Sequence, residues 1–241
     1  MELRVLGSSS AGNCYILSNK EEVLLLEAGL PYNDIAKALD FDFSSVVGCL
    51  VSHRHGDHSK TLPKLDGMID IYCGEDVAKA KSLRSYRPLK HLKQFKVGGF
   101  IVLPFDAIHD VPCFGFFIKH EDMGKLVFIT DSAYSDYRFK GVDHLMVECN
   151  YDADSLGYAV DNGITPRFQV NRLLETHMEL EETMNVIRNN KDEGLKNVML
   201  LHLSARNSSE DTMVDRIQGE LGITPYIAKG GLVIKLKKTP Y

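Results

Sequence analysis

No stretch of the 241 residues approaches the roughly 18 consecutive apolar residues that a membrane-spanning helix requires, so no membrane span is expected. The opening segment MELRVLGSSSAGNCYIL has no basic region followed by a long apolar one, which predicts no secretion signal. The five cysteines, Cys14, Cys49, Cys73, Cys113 and Cys149, are odd in number and form no CxxC pair. That set argues for reduced thiols buried as small hydrophobes, and hence for a cytoplasmic protein. Internal repeats, low-complexity tracts and obvious linkers are absent from a chain long enough for one large domain or two small ones. The net charge of −5 argues against a surface coated in nucleic acid but leaves room for a local basic patch.

What the chain does have is a succession of short β-type runs. Leu3–Leu6, Cys14–Leu17, Val23–Leu26, Val46–Val51, Ile69–Tyr72, Phe100–Leu103, Phe114–Ile118, Leu126–Ile129, Leu145–Val147 and Val198–Leu201 are apolar segments punctuated by Gly, Ser and Asn. Helical patterns lie between and after them: Pro31–Leu39, residues 179–190 with Leu180, Met184 and Ile187 in register, and residues 209–221 with Met213, Ile217 and Leu221 in register behind a Ser208 or Ser209 cap. Strands interleaved with helices predict sheets covered by helices.

Directly after the Val46–Val51 run stands HRHGDH, with His53, His55, Asp57 and His58 inside six positions. Neutral imidazoles and carboxylates are the donors that zinc and related divalent ions take. So many polar rings beside a core strand cost desolvation energy unless something binds them. The pattern then recurs. A short turn leads from Phe100–Leu103 to His109, Leu126–Thr130 runs straight into Asp131, and Val198–Leu201 runs straight into His202. Singly, His109 or His202 reads as a satisfied buried histidine and Asp131 as a helix cap. Together they place a metal-competent residue at the end of four strands, where loops on a rigid scaffold carry function. Seven donors exceed one tetrahedral ion and suit two ions sharing a carboxylate. His53 and His55, two apart, share a face toward one ion, and Asp57 and His58 belong to the next turn and a second ion, with Gly56 letting the backbone turn between them. His91, His120, His144 and His177 take surface or structural roles on this pattern.

HRHGDH followed by a lone His, an Asp and a late His resembles the metallo-β-lactamase superfamily over roughly residues 2–207. The resemblance implies an α/β fold, the αββα four-layer sandwich with a dinuclear metal site at the sheet edge, as a single domain over residues 1–241. It implies that His53, His55 and His109 would hold one divalent ion, that Asp57, His58 and His202 would hold the second, and that Asp131 would bridge. Within the superfamily, GSSSAGNCYIL, LMVECNYD, Thr176-His177-Met178 and LHLSARN resemble stretches of the YycJ/WalJ type of exonuclease. Two departures stand out: Glu27 replaces the usual Asp, so its supporting role must reach differently, and His177-Met178 replaces a His-Leu-Ser stretch.

Two divalent ions, Zn2+ or Mn2+ with Fe2+ also compatible, would lower the pKa of a shared water from about 15.7 toward 7, with Asp57 orienting or deprotonating it. The expected reaction is hydrolysis of an ester-like bond, with DNA the leading substrate. Residues 77–105 hold seven Lys and Arg and no Asp or Glu, and within them Lys81, Arg84, Arg87 and Lys90 are candidate phosphate contacts. Ser204 and Asn207, with Arg206, follow His202 and are further candidates, and the turn Gly7–Gly12 offers backbone N–H groups. The alternatives are a small-molecule hydrolase acting on a cyclic phosphodiester, thioester or lactone, and a binding protein that has kept the fold.

Overall fold

The computed structural model describes residues 1–238. The first half of the chain supplies β1 (Glu2–Gly7), β2 (Cys14–Ser18), β3 (Val23–Leu26), α1 (Tyr32–Ala38), β4 (Val46–Leu50), α2 (Gly56–Ser59), α3 (Leu62–Leu65), β5 (Ile71–Cys73), α4 (Glu75–Ala80) and β6 (Arg87–Pro88). The second half supplies β7 (Phe95–Val97), β8 (Phe100–Ala107), β9 (Cys113–His120), β10 (Gly124–Ile129), β11 (His144–Glu148), α5 (Ala153–Asp161), α6 (Arg167–Thr176), α7 (Leu180–Asn190), β12 (Asn197–Leu201), α8 (Glu210–Leu221), β13 (Tyr226–Ile227) and β14 (Val233–Lys235). They build two sheets, in the orders β14-β1-β2-β3-β4-β5-β6 and β13-β12-β11-β10-β9-β8-β7.

The two-residue period of the strands explains the layers. Tyr15 and Leu17 of β2, with Leu24 and Leu26 of β3, point inward and meet Phe128 of β10, Met146 of β11 and Met199 of β12 in one core between the sheets. Their neighbours point outward. Ile16 and Leu25 pack under Ile35 of α1 and Val77 of α4, whereas Val127, Leu145 and Val198 pack under Met184 of α7 and Met213 of α8. Both faces of the central strands are therefore buried, and β2, β3, β11 and β12 read as continuous apolar runs, whereas the outer β1 and β8 alternate. The result is the expected αββα sandwich. At the end of α8, Ser209 caps by accepting a hydrogen bond from Thr212 N–H, and Gly222 closes the other end in the left-handed conformation.

Topology puts the chemistry on one edge. Strands β3 to β6 run parallel, as do β10 to β13, and their carboxyl ends lie where the chain leaves each sheet for its next crossover. Glu27 follows β3, HRHGDH follows β4, Asp131 follows β10, Glu148 ends β11 and His202 follows β12. β8 runs on to Ala107 where a turn after Leu103 was expected, and this longer strand carries His109 to the same edge. Phe114 N–H donates to Ser52 O at 3.1 Å and ties the two sheets together there. At Gly29 a side chain has no room: a Cβ would stand 1.6 Å from the Asp57 carbonyl oxygen, so only glycine lets the loop after β3 support HRHGDH from below.

Among the described residues no helix is long and apolar enough to cross a membrane. All five cysteines are buried and free.

Candidate metal centre

Three of the converging residues sit in strained backbone. Glu27, Asp131 and His202 have φ of 65°, 45° and 54°. This left-handed conformation costs a non-glycine residue about 1–3 kcal/mol and persists where surrounding structure enforces it. Each lies within two residues of the end of a buried strand.

The donors fall into two groups around one carboxylate. In the first, His55 Nδ1 lies 3.0 Å from His53 Nε2 and 3.2 Å from His109 Nε2. Asp131 Oδ2 is 3.8 Å from both His53 Nε2 and His109 Nε2. In the second, His58 Nε2 is 3.4 Å from Asp57 Oδ2 and 3.3 Å from Asp131 Oδ1, and His202 Nε2 is 3.4 Å from Asp57 Oδ2. The two oxygens of Asp131 thus face different groups. Within each group the donor atoms lie within 4.8 Å of one another. Donors tetrahedrally placed at about 2.0–2.1 Å from an ion stand about 3.3 Å apart, so the spacing of these atoms fits a divalent metal. Three ring nitrogens crowded at 3.0–3.2 Å cannot all satisfy one another by hydrogen bonding, and a shared cation resolves the conflict.

Supporting contacts orient nearly every ring. His53 Nδ1 meets Ser52 Oγ at 2.9 Å, and His109 Nδ1 meets Thr176 O at 2.9 Å. Asn150 Nδ2 contacts His202 Nδ1 at 3.2 Å and donates to His202 O at 2.8 Å. Glu27, fully buried, accepts from Ser52 N–H at 3.1 Å and faces His58 Nδ1 at 3.5 Å. The longer side chain therefore spans both the strand-end amide and the ligand ring. Burial pushes the Glu27 carboxyl up more than His58 and Ser52 pull it down.

Glu148 and His177 extend the cluster. Glu148 is buried and accepts from Ser132 N–H at 2.8 Å, Met178 N–H at 3.2 Å and His177 Nδ1 at 2.6 Å. With Asp131 and His202, the two form a third set that can hold a metal. Burial works to discharge His177, but Glu148 outweighs it and the imidazole is raised above its ordinary value. The residue pattern alone gave His177 an ordinary role, while the resemblance made it, like Glu27, a candidate for supporting a ligand or contacting substrate; its ring stands 5.4 Å from that of His202 and 5.6 Å from that of His109.

The two groups differ electrostatically. Burial, reinforced by the neighbouring imidazoles, lowers His53 and His55, so both are neutral at pH 7. Burial opposes charge on His58 and His202 too, but Asp131, Asp57 and their neighbours override it, and His202 is raised to about 10. A metal takes only neutral imidazole nitrogen. Filling the second group near pH 7.5 should therefore release about two protons, from His58 and His202, while His53 and His55 release none. Affinity at the second group should strengthen as pH rises toward 10. Calorimetric titration in two buffers of different ionisation enthalpy measures this; equal proton release for both ions would contradict it.

A cavity of about 640 Å³ opens above the cluster, lined by His55, Asp57, His109, Asp131, His177 and His202 on one side and by Phe168, Gln169, Arg172, Leu173 and Thr176 of α6 on the other. A neighbouring hollow of about 550 Å³ contains Ser204, Arg206 and Asn207 and shares His177 and His202 with the first. Ser204 is thus beside the cluster, and Asn207 also anchors its loop by accepting from Thr165 Oγ1 at 2.6 Å. Ser8 of the Gly7–Gly12 turn accepts from His202 N–H at 2.9 Å, and Ser10 lines both cavities. Lys81, Arg84, Arg87 and Lys90 line neither. Arg84 faces Asp66 at 3.6 Å, and Arg87, on the edge strand β6 of the first sheet, faces Asp70 at 3.3 Å.

Several site residues escape a reading of strand ends. Glu148 ends an apolar strand whose one histidine, His144, sits at the opposite end and hydrogen-bonds to Met123 O and Asn197, and Ser52, Asn150, Asp110 and α6 carry no metal-ligand spacing. The LMVECNYD stretch was the one signal that contained Glu148 and Asn150.

Comparison with known proteins agrees with this architecture. The model of the β-lactamase superfamily domain matches residues 36–203. Exodeoxyribonuclease YycJ of Bacillus anthracis is 29% identical over 229 residues, covering 88% of this chain and 85% of its own. Exodeoxyribonuclease WalJ of Streptococcus pneumoniae is 26% identical over 250 residues, covering 91% and 89%. The crystal structure of the metallo-β-lactamase fold protein YhfI from Bacillus subtilis superposes with a TM-score of 0.76 at 19% identity, covering 97% of this chain and 99% of that one.

Proposed function

This chain belongs to the β-lactamase superfamily, and we propose that it is a metal-dependent phosphodiesterase whose substrate is DNA, cleaved from an end. The observation that carries the reading is Asp131, whose two oxygens face two separate donor groups. His53, His55 and His109 would hold one divalent ion, Asp57, His58 and His202 the other, with Asp131 shared. Imidazole and carboxylate donors suit Zn2+, Mn2+ and Fe2+. Bound there, two ions supply Lewis acidity toward a phosphoryl oxygen and acidify water.

The protein's own groups divide the remaining work. Burial opposes ionisation of Asp57, but hydrogen bonds from His202 and His58 hold its carboxyl far below the usual range. Asp57 is therefore an acceptor that orients a water O–H and is a poor store for a proton. His177 lines the cavity with its Nδ1 engaged by Glu148, which raises its pKa, and we assign to it the proton that the leaving oxygen needs. Ser204, Asn207 and the Gly7–Gly12 turn flank the phosphate. Lys81, Arg84, Arg87 and Lys90, away from the cavity, we assign to the trailing part of the strand.

The choice of DNA rests on the two exodeoxyribonucleases named above. The cavity of about 640 Å³ also has the size of a small-ligand site, which favours a small phosphodiester as the second reading. End-labelled single- and double-stranded DNA incubated with the Mn2+- or Zn2+-loaded protein, beside bis(p-nitrophenyl) phosphate, separates the two. We expect stepwise shortening of DNA from one end. Turnover of the chromogen with every DNA left intact would reject the nuclease and leave the small-substrate enzyme.

A further inference from the structure

Helix α6 stands apart from the other long helices. Of its ten residues, RFQVNRLLET, only Thr176 is buried. Phe168 is 82% exposed, more than any other exposed large hydrophobic side chain of the described residues. A helix with so little core contact is held by something else, and two contacts do this. Thr176 O accepts from the His109 ring at 2.9 Å, and Arg172 Nη2 meets Asp110 Oδ2 at 2.9 Å. Asp110 Oδ1 in turn lies 3.4 Å from His55 Nε2 and 3.3 Å from His109 Nε2. The C-terminal half of α6 is thus pinned to the rim of the first donor group, while its N-terminal turn projects over the cavity.

The cavity face of α6 carries Phe168, Gln169, Arg172, Leu173 and Thr176, at the helical spacing of i, i+1, i+4, i+5 and i+8. An aromatic ring, an amide and a guanidinium in that order along one wall are the groups that meet a nucleotide: a face for the base, donors and acceptors for its edge, a cation for the phosphate. Asp110 engages one guanidinium nitrogen of Arg172 and holds the group in place, and its other donors have no acceptor among the described residues.

We infer that α6 is the base-binding wall for a single-stranded nucleic-acid end, with Phe168 stacking on the nucleobase and Arg172 contacting the backbone phosphate next to the Asp131 cluster. The inference rests on the phosphodiesterase reading and adds the part of the substrate that reading leaves unassigned. A single strand is specified because Gln169 beside the ring must reach the edge of the stacked base, which pairing in a duplex occupies. The two cavities share Ser10, Gln169 and Leu173, so one groove runs past the cluster with room for a nucleotide on either side.

The test uses the metal-loaded protein and a phosphorothioate single strand with 2-aminopurine at its end, read by fluorescence and anisotropy. Wild type should bind it and quench the probe. F168A should lose the quench and bind roughly five- to hundredfold more weakly, as expected for one base–aromatic stack. F168Y should keep both properties, and F168L, which keeps apolar bulk without a ring, should behave like F168A. R172A should reduce the slope of log affinity against log salt by about 0.7, the contribution of one phosphate contact on a single strand, and R172K should restore it. F168L matching wild type in quench and affinity would overturn the stacking role while leaving the phosphodiesterase reading standing. A wild-type protein that neither binds nor cleaves any DNA would instead remove the nuclease reading, and the inference with it.

Discussion

Asp131→Ala should leave at most one tightly bound divalent ion per chain and lower phosphodiester turnover on the order of a thousandfold or more. The residue is 2% exposed and serves both donor groups, Oδ2 toward His53 and His109, Oδ1 toward His58 and His202. Its removal deletes a donor from each group and a negative charge from among five imidazoles. Burial alone would raise its pKa, but His202 and His58 hold it well below the carboxylate range, so the carboxylate is their counter-charge as well as a donor. A metal pair contributes several kcal/mol of transition-state stabilisation, and each 1.36 kcal/mol is tenfold in rate, which sets the expected size. Metal content by elemental analysis and turnover by chromogen assay give the two readouts, with circular dichroism reporting the fold. Two ions per chain and a near-wild-type rate in the variant would defeat the shared-carboxylate arrangement.

His177→Gln should slow DNA cleavage by about 10²- to 10⁴-fold, the usual contribution of a positioned general acid, and slow p-nitrophenyl ester cleavage far less. The difference arises in the leaving group. A sugar oxygen departs as a strongly basic alkoxide unless it is protonated, whereas p-nitrophenolate leaves without help. Glutamine keeps a hydrogen bond to Glu148 and has no proton to give. The sign of the pH effect follows from the raised His177 pKa: the acid form is complete below its ordinary value of 6.5 and is lost as pH climbs through the raised one. Wild type should therefore show an alkaline decline on DNA that the variant lacks. Equal losses on both substrates would assign His177 to holding His202 and not to proton donation.

The donors of both groups were legible because each sits at or just past the end of an apolar run, and the run itself fixes which sheet edge the donor reaches. His202 follows Leu201 and Asp131 follows Thr130, so strand register alone delivers them. Helices α7 and α8 were legible for a similar reason, since Leu180, Met184 and Ile187, and Met213 and Ile217, are buried at helical spacing. Strands β7, β13 and β14, at two or three residues, are too short to show a period. Helix α6 lacks an apolar stripe because only Thr176 is buried, and α5 buries only Leu156 and Ala159.

Residue type and local spacing by themselves determined the metal-competent residues, sheets covered by helices and the edge on which the donors lie, since strand periodicity and ligand identity are properties of neighbouring residues; the four-layer sandwich came from the family resemblance. The tertiary structure decided what surrounds them. Glu148 meets His177 across 29 positions, Thr176 meets His109 across 67 and Arg172 meets Asp110 across 62. Such pairings depend on how two sheets and a weakly buried helix close over one another, and no local period encodes that closure.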